Sequence, residues 1–147
     1  MADVRATVVI CTRNRAATLA RALESLCGLR VPDATSWEGL VVDNASTDAT
    51  SHVVARSVDR LPVRMALESQ PGLSHARNRA VAEARGDYIL WIDDDAVPHA
   101  DWLAAYLAAF EAWPNAVVFG GPIDVAFDAP LPEWFVRVLP RVAPLYA

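Results

Sequence analysis

The order of apolar patterns along the chain predicts an α/β fold, an open and mostly parallel sheet with helices on both faces. Three observations carry this. Short β-branched apolar runs alternate with stretches whose apolar residues recur at three- and four-residue spacing. Polar residues, glycine and proline separate the two kinds of segment, as turns between strand and helix require. The chain has 147 residues, 54% of them hydrophobic and 21% charged, enough apolar material for the core of one domain.

Residues 7–11 (TVVIC) form the first strand, and the polar TRNRA leads into a helix marked by Leu19, Ala22, Leu23 and Leu26. Residues 39–43 (GLVVD) form the second strand. The segment that follows, NASTDATSHVVARSV, opens on the residue types that cap helix N-termini, and Ser46, Thr47 and Asp48 are expected to serve that helix. VRMALE, residues 63–68, is the third strand, and QPG turns the chain into the helix LSHARNRAVAEA. Gly86 stops that helix. Residues 88–92 (YILWI) are the fourth strand, and residues 99–113 form a long helix halted by Pro114. AVVFGG, residues 116–121, is expected as a fifth strand. Beyond Gly121 the sequence is rich in proline and lacks a period, with LPEWFVRVL the best helical candidate. Two regions follow from this, a regular α/β domain over 1–121 and a proline-rich segment over 122–147.

Composition excludes several functions. A net charge of −5 and a pI near 5.0 argue against nucleic acid as a main partner, because phosphate backbones select basic surfaces. All thirteen basic residues are arginine, so Schiff-base and P-loop lysine chemistry is absent. No G-x-G-x-x-G follows the first strand and no G-x-x-x-x-G-K occurs. No apolar run approaches the ~20 residues of a membrane span, and the polar N-terminus lacks a signal-peptide core, so a soluble cytoplasmic protein is expected. Cys11 and Cys27 have no metal-binding spacing and read as buried thiols.

The polar residues gather at strand ends. In open α/β sheets ligands bind outside the carboxyl ends of the strands. The first strand ends in Thr12, Arg13 and Asn14, the second in Asp43, Asn44 and Ser46, the fourth in Asp93, Asp94 and Asp95, and Gly120 with Gly121 closes the fifth. Three adjacent carboxylates repel one another. Their oxygens suit hard cations such as Mg²⁺ or Mn²⁺, and such an ion bridges diphosphate oxygens that a chain without phosphate-binding loops leaves unneutralised.

The segments VVICTRNRAATLARALESL, VVDNASTDAT, GLSHARNRAVAEARGDYILWIDDDAVPHADWL and FGG, in this order and spacing, resemble the nucleotide-sugar-binding half of inverting family-two glycosyltransferases of the GT-A fold. The resemblance covers residues 5 to 121. WIDDD resembles the D-x-D motif of that family, with Asp93 and Asp95 at its acidic positions. By this resemblance Thr12 and Arg13 border the nucleobase, with the Arg13 guanidinium stacking where the family often has an aromatic ring. Asp43 accepts a hydrogen bond from a ring N–H of the base. Arg77 faces the nucleotide or its diphosphate, Asp93 and Asp94 the nucleotide side, Asp95 and Asp93 the Mn²⁺ or Mg²⁺, and Gly120 and Gly121 the donor sugar. His52, His75 and His99 read as surface or capping residues.

Members of the family continue into an acceptor half that supplies a carboxylate as general base. No acidic pair follows the glycines here, and Asp124, Asp128 and Glu133 stand where loop solvation or sugar contact fits better than proton abstraction. The implied function is metal-dependent, inverting transfer of a sugar from a UDP-, GDP- or dTDP-sugar to an acceptor hydroxyl, with this chain a donor-binding fragment. The alternative is a nucleotide-sugar-binding module without turnover. A nucleotidyltransferase, which shares the two-aspartate metal site, wants a glycine-rich loop that CTRNRAATLA lacks. Trp134 and Phe135 either fold back as core or leave an apolar patch through which the chain self-associates.

Overall fold

The computed structural model describes residues 4–32, 35–127 and 129–142. These form β1 (Ala6–Thr12), α1 (Ala16–Leu26), β2 (Trp37–Asp43), α2 (Thr50–Ala55), β3 (Val63–Leu67), α3 (Leu73–Glu83), β4 (Tyr88–Trp91), α4 (Trp102–Ala112) and α5 (Glu133–Val142). The chain divides into two compact units between Ala112 and Trp113.

In the first unit four strands form one sheet in the order β3-β2-β1-β4, with every pairing parallel. β1 and β2 pair along their whole length, from Ala6 opposite Trp37 to Thr12 opposite Asp43. The chain steps outward from β1 to β2 to β3 and then returns to lay β4 on the other side of β1. Strand order therefore reverses between β1 and β4, and their carboxyl ends flank the crevice where such sheets bind ligands.

A central parallel strand is covered on both faces, which is why β1 is continuously apolar rather than alternating. Val8, Val9 and Ile10 are at most 1% exposed. Val9, Leu40 and Val42 pack with Ala66 and with Ala76 and Ala80 of α3, and Cys11 and Ile89 border this cluster. The two alanines, four residues apart on one helix face, let α3 approach the sheet closely. By strand alternation Val8, Ile10 and Val41 face the opposite side. Leu19, Ala22, Leu23 and Leu26 of α1 are at most 2% exposed, and each buried leucine contributes about 1.5–3 kcal/mol. α4 buries Leu103, Leu107 and Phe110, and the Phe110 ring stacks on Tyr88 of β4 with centroids 3.7 Å apart.

At the amino end of the sheet a polar cluster sets β4 beside β1. Glu38, 7% exposed, accepts hydrogen bonds from Thr7 Oγ1 (3.0 Å), Arg64 Nε (2.8 Å) and the Arg85 backbone N–H (3.0 Å). The Gly86 N–H donates to Thr7 Oγ1 at 2.9 Å. Here the chain grazes the start of β1: a Cβ on Gly86 would stand 2.6 Å from the Ala6 carbonyl carbon and from the Thr7 nitrogen. Burial raises the Glu38 pKa, but the hydrogen bonds from Arg64, Thr7 and Arg85 outweigh it and hold the carboxyl below its ordinary 4.5.

Two expectations are corrected. Residues 116–121 are not a strand; Val117 and Val118 are 95% and 83% exposed. An apolar run becomes a strand only when a neighbouring backbone takes up its N–H and C=O groups, and among the described residues none does so here. The helix after β2 is also short, six residues. The second unit holds α5, where Phe135 meets Phe127 and Trp134 edge to face at 5.9 and 5.4 Å, while Trp134 is 67% exposed. Asp128 lies outside the described residues. Among those described, no helix is long and apolar enough to cross a membrane.

Two outcomes are expected. Gly86→Ala forces backbone to move and lowers unfolding free energy in urea by about 1–3 kcal/mol. Glu38→Gln leaves Arg64 without its buried counter-charge and costs on the order of 3 kcal/mol at pH 7. Because the folded Glu38 pKa is lowered, its ionic contribution is fully present above the ordinary value of 4.5 and is lost as pH falls through the folded value. Urea curves of wild type and Glu38→Gln therefore converge in strongly acidic buffer; an equal gap at pH 7 and pH 3 rules this out.

Candidate functional site

The site is built from the loops that leave β1, β2 and β4. After Thr12 the chain needs a sharp turn into α1, and Asn14 takes it at φ 53°, a left-handed conformation that asparagine tolerates. The Asn14 N–H donates to Ser46 Oγ (2.9 Å), and its Oδ1 accepts from the Thr47 N–H (2.7 Å). Asp48 Oδ2 accepts from the Ala16 N–H at the start of α1, and its Oδ1 accepts from the Thr50 N–H at the start of α2, both at 3.0 Å. Asp48 thus caps two helices, whereas Ser46 and Thr47 bind the first loop rather than their own helix. The Thr50 hydroxyl and the N–H donors hold the Asp48 carboxyl below its usual range. Asn44 closes the third side: its Nδ2 donates to the Gln70 carbonyl (2.7 Å) and its Oδ1 accepts from the Gly72 N–H (2.7 Å).

The acidic triplet follows β4 directly. The Ile92 N–H still donates to the Val9 carbonyl at 3.1 Å, so the loop starts in register with β1. Asp94 turns inward and is 4% exposed. Its Oδ2 accepts from Thr12 Oγ1 at 2.7 Å, and its Oδ1 from Arg15 Nη1 at 2.8 Å. The other arm of the same guanidinium, Nη2, donates to Asp95 Oδ2 at 2.9 Å. One arginine therefore neutralises two neighbouring carboxylates, which answers the repulsion within the triplet. Asp93 is exposed, and among the described residues its carboxylate makes no hydrogen bond or ion pair.

A cavity of about 340 Å³ opens between these loops. Thr12, Arg13, Arg15, Asn44 and all three aspartates line it, over Cys11, Leu73 and Ala76. Five residues expected in the site, Thr12, Arg13, Asp93, Asp94 and Asp95, are brought together there. Asp43 stands beside Thr12 in the β1/β2 register, 5% exposed, with its Oδ1 accepting from the Ser46 N–H at 3.0 Å; it does not line the cavity. Arg77 of α3 lies over the Trp91 ring, 6.0 Å from its centroid, and is not a lining residue either. Gly120 and Gly121 belong to the second unit, and no atom lies within 4 Å of where a Gly120 Cβ would stand.

Arg15 is the residue that sequence reading passed over. It occupies the N-cap of α1 without capping it, at the positive end of the helix dipole where a cation is unfavourable. A cation in that place, with an acidic run elsewhere in the chain, is the signal that marks it. Among the described residues no three His, Cys, Asp or Glu side chains converge on a cation position. Asp93 and Asp95 still offer two hard oxygen donors at the cavity wall. That set fits a Mg²⁺-like ion, which is commonly held by one or two carboxylates with substrate phosphates and water completing its shell.

An open parallel sheet with an acidic loop at its switch point is the architecture of α/β proteins of the GT-A type. The model of glycosyl transferase family 2 matches residues 7–138, and the chain belongs to that family. The succinoglycan biosynthesis protein ExoM of Rhizobium meliloti is 28% identical over 127 residues, which are 85% of this chain and 40% of ExoM. Among solved structures, Staphylococcus aureus TarS 1–349 in complex with UDP-GlcNAc superposes with a TM-score of 0.66 at 26% identity, covering 74% of this chain and 32% of that one. The mannosyltransferase PcManGT of Pyrobaculum calidifontis, in complex with GDP-Man and Mn²⁺, gives 0.65 at 32% identity, covering 72% and 32%. The chain thus spans less than half the length of each of these relatives.

The cavity floor is chemically quiet. Burial, opposed by Arg77 and assisted by Asp93 and Asp94, pushes the Cys11 thiol up to about 11. In a Cys27→Ser background, alkylation of Cys11 by iodoacetamide is expected to rise about tenfold per pH unit from pH 7 to 10, because the thiolate alone reacts. A plateau below pH 9 contradicts this.

Proposed function

We propose that this chain holds the donor side of a sugar-transfer reaction, binding a nucleoside-diphosphate sugar together with Mn²⁺ or Mg²⁺ at the switch-point cavity. The observation that carries the reading is the clamp on Asp94, which leaves Asp93 and Asp95 at the cavity wall on either side of one buried, neutralised carboxylate. The UDP-GlcNAc and GDP-Man complexes of the two structural relatives support a nucleotide-sugar as ligand, and the Mn²⁺ of the second supports a divalent ion.

Each residue then has a role. Arg13, exposed at the cavity mouth, stacks on the nucleobase, and the Thr12 side of the cavity bounds it. Asp43 receives a ring N–H of the base through the carboxylate oxygen that Ser46 leaves free. Arg77 stands toward the nucleotide from α3, and Gly120 and Gly121 carry the family's donor-sugar assignment. Asp93 and Asp95 would hold the cation, which when bound supplies positive charge where the departing diphosphate gathers negative charge. The chain's own part is to fix those carboxylates before ligand arrives, so that no reorganisation is needed during reaction.

Inverting transfer also needs a base to take the proton of the attacking acceptor hydroxyl, typically ~10²–10⁴-fold in rate. Asp94 and Asp95 are engaged with Arg15, and Asp93 faces the cavity as a cation ligand. We assign residues 1–121 to donor binding and 122–147 to the start of an acceptor-side region, with Asp124 and Glu133 as sugar-contact or solvated acids.

Calorimetry with UDP, GDP and dTDP in the presence of Mn²⁺ tests the reading. Binding of at least one is expected, and Asp95→Ala weakens it about tenfold or more while the melting temperature holds, since a half-exposed rim carboxylate supports no core. With a nucleotide-sugar and a panel of sugar and lipid acceptors, slow release of diphosphate without glycosylated product is expected. Absence of heat with all three nucleotides rejects the reading, and robust acceptor glycosylation rejects the assignment of a donor half.

A further inference from the structure

Arg15 has two partners of different standing. Asp94 is 5% exposed in its side chain and also held by Thr12, so withdrawing the Nη1 arm would strand a buried charge. Asp95 is 50% exposed, and an ion pair so open to water is weak and easily exchanged. The Arg15 side chain is 49% exposed, and the residue lines the cavity. Its Nη1 arm is therefore an anchor and its Nη2 arm a movable contact. Asp95 with Arg15 attached is a poor cation ligand, because the guanidinium hydrogen bond occupies one of its oxygens and the positive charge repels an incoming ion. A cation held by Asp93 and Asp95 must first displace the Nη2 arm. The released arm then faces a cavity in which, among the described residues, the one lining carboxylate without an ion pair, Asp93, is also taken by the cation. An anion entering the cavity is the natural acceptor, and a diphosphate presents oxygens that match the guanidinium fork.

We infer that Arg15 is a positioning residue that couples the two ligands: its Nη2 arm occupies Asp95 in the free protein and passes to the diphosphate when the cation takes Asp95, so that cation and nucleotide each bind better with the other present. The inference rests on the nucleotide-sugar reading and adds to it the order imposed by one side chain. Placement at the N-cap of α1 favours the exchange, since the helix dipole disfavours the cation and welcomes the anion that joins it.

The test measures free Mn²⁺ by electron paramagnetic resonance, titrating the chain with and without saturating UDP, and again with GDP and with dTDP. In wild type the nucleotide tightens Mn²⁺ by a factor on the order of 10. In Arg15→Gln, Mn²⁺ alone binds severalfold more tightly than to wild type and the coupling factor falls toward one. Arg15→Lys keeps the charge but lacks the fork, and restores part of the coupling. Circular dichroism establishes that each variant is folded; where Arg15→Gln does not fold, a coupling factor in Arg15→Lys below that of wild type decides. Full coupling in the folded variants, or unchanged Mn²⁺ affinity without nucleotide, overturns the role of Arg15 while leaving the nucleotide-sugar reading intact. Wild-type chain that binds none of UDP, GDP and dTDP removes both.

Discussion

The burial of one charge, the Asp94 carboxylate, organises the carboxyl end of the sheet. A carboxylate taken out of water is costly unless each oxygen finds a donor, and here Thr12 supplies one and Arg15 the other. Thr12 is the last residue of β1, Arg15 the residue before α1, and Asp94 lies just beyond β4. Satisfying one carboxylate therefore joins the two loops that flank the switch point. Its neighbours Asp93 and Asp95 are placed at the cavity wall as a consequence, because a triplet whose middle member points inward directs its outer members to the rim.

The same strand pair is pinned at its other end by a second buried carboxylate. Glu38 gathers Thr7, Arg64 and the backbone of Arg85, and Gly86 closes against the first residues of β1. Two threonines of β1, at positions 7 and 12, thus serve two polar clusters on opposite faces of the sheet. Between them runs the apolar stretch that forms the core. β4 is only four residues long, and these clusters bracket its parallel pairing with β1 at both ends.

Loops in this protein are held by side-chain to backbone bonds across the chain. Asn14 and Asp48 tie the β1 and β2 loops to each other, and Asn44 ties the β2 loop to the approach of α3. Ala45 sits at φ 55°, where alanine is disfavoured by about 1–2 kcal/mol, and the surrounding bonds hold it there. The three loops of this rim are thus cross-linked by their own side chains.

The fold class, the four strands and the concentration of polar residues on one rim were legible in the sequence, because apolar periodicity and strand-end position are local properties. So was the acidic run, whose cost demanded a partner. The identity of that partner was not local: Arg15 lies 79 residues from Asp94, and only the return of β4 to the far side of β1 brings them together. For the same reason Asp48 serves α1 as well as α2, since the donor of Ala16 reaches it only after two loops meet. Residues 116–121 show the converse. They carry the composition of a strand, but pairing is a property of two segments, and among the described residues no second segment pairs with them.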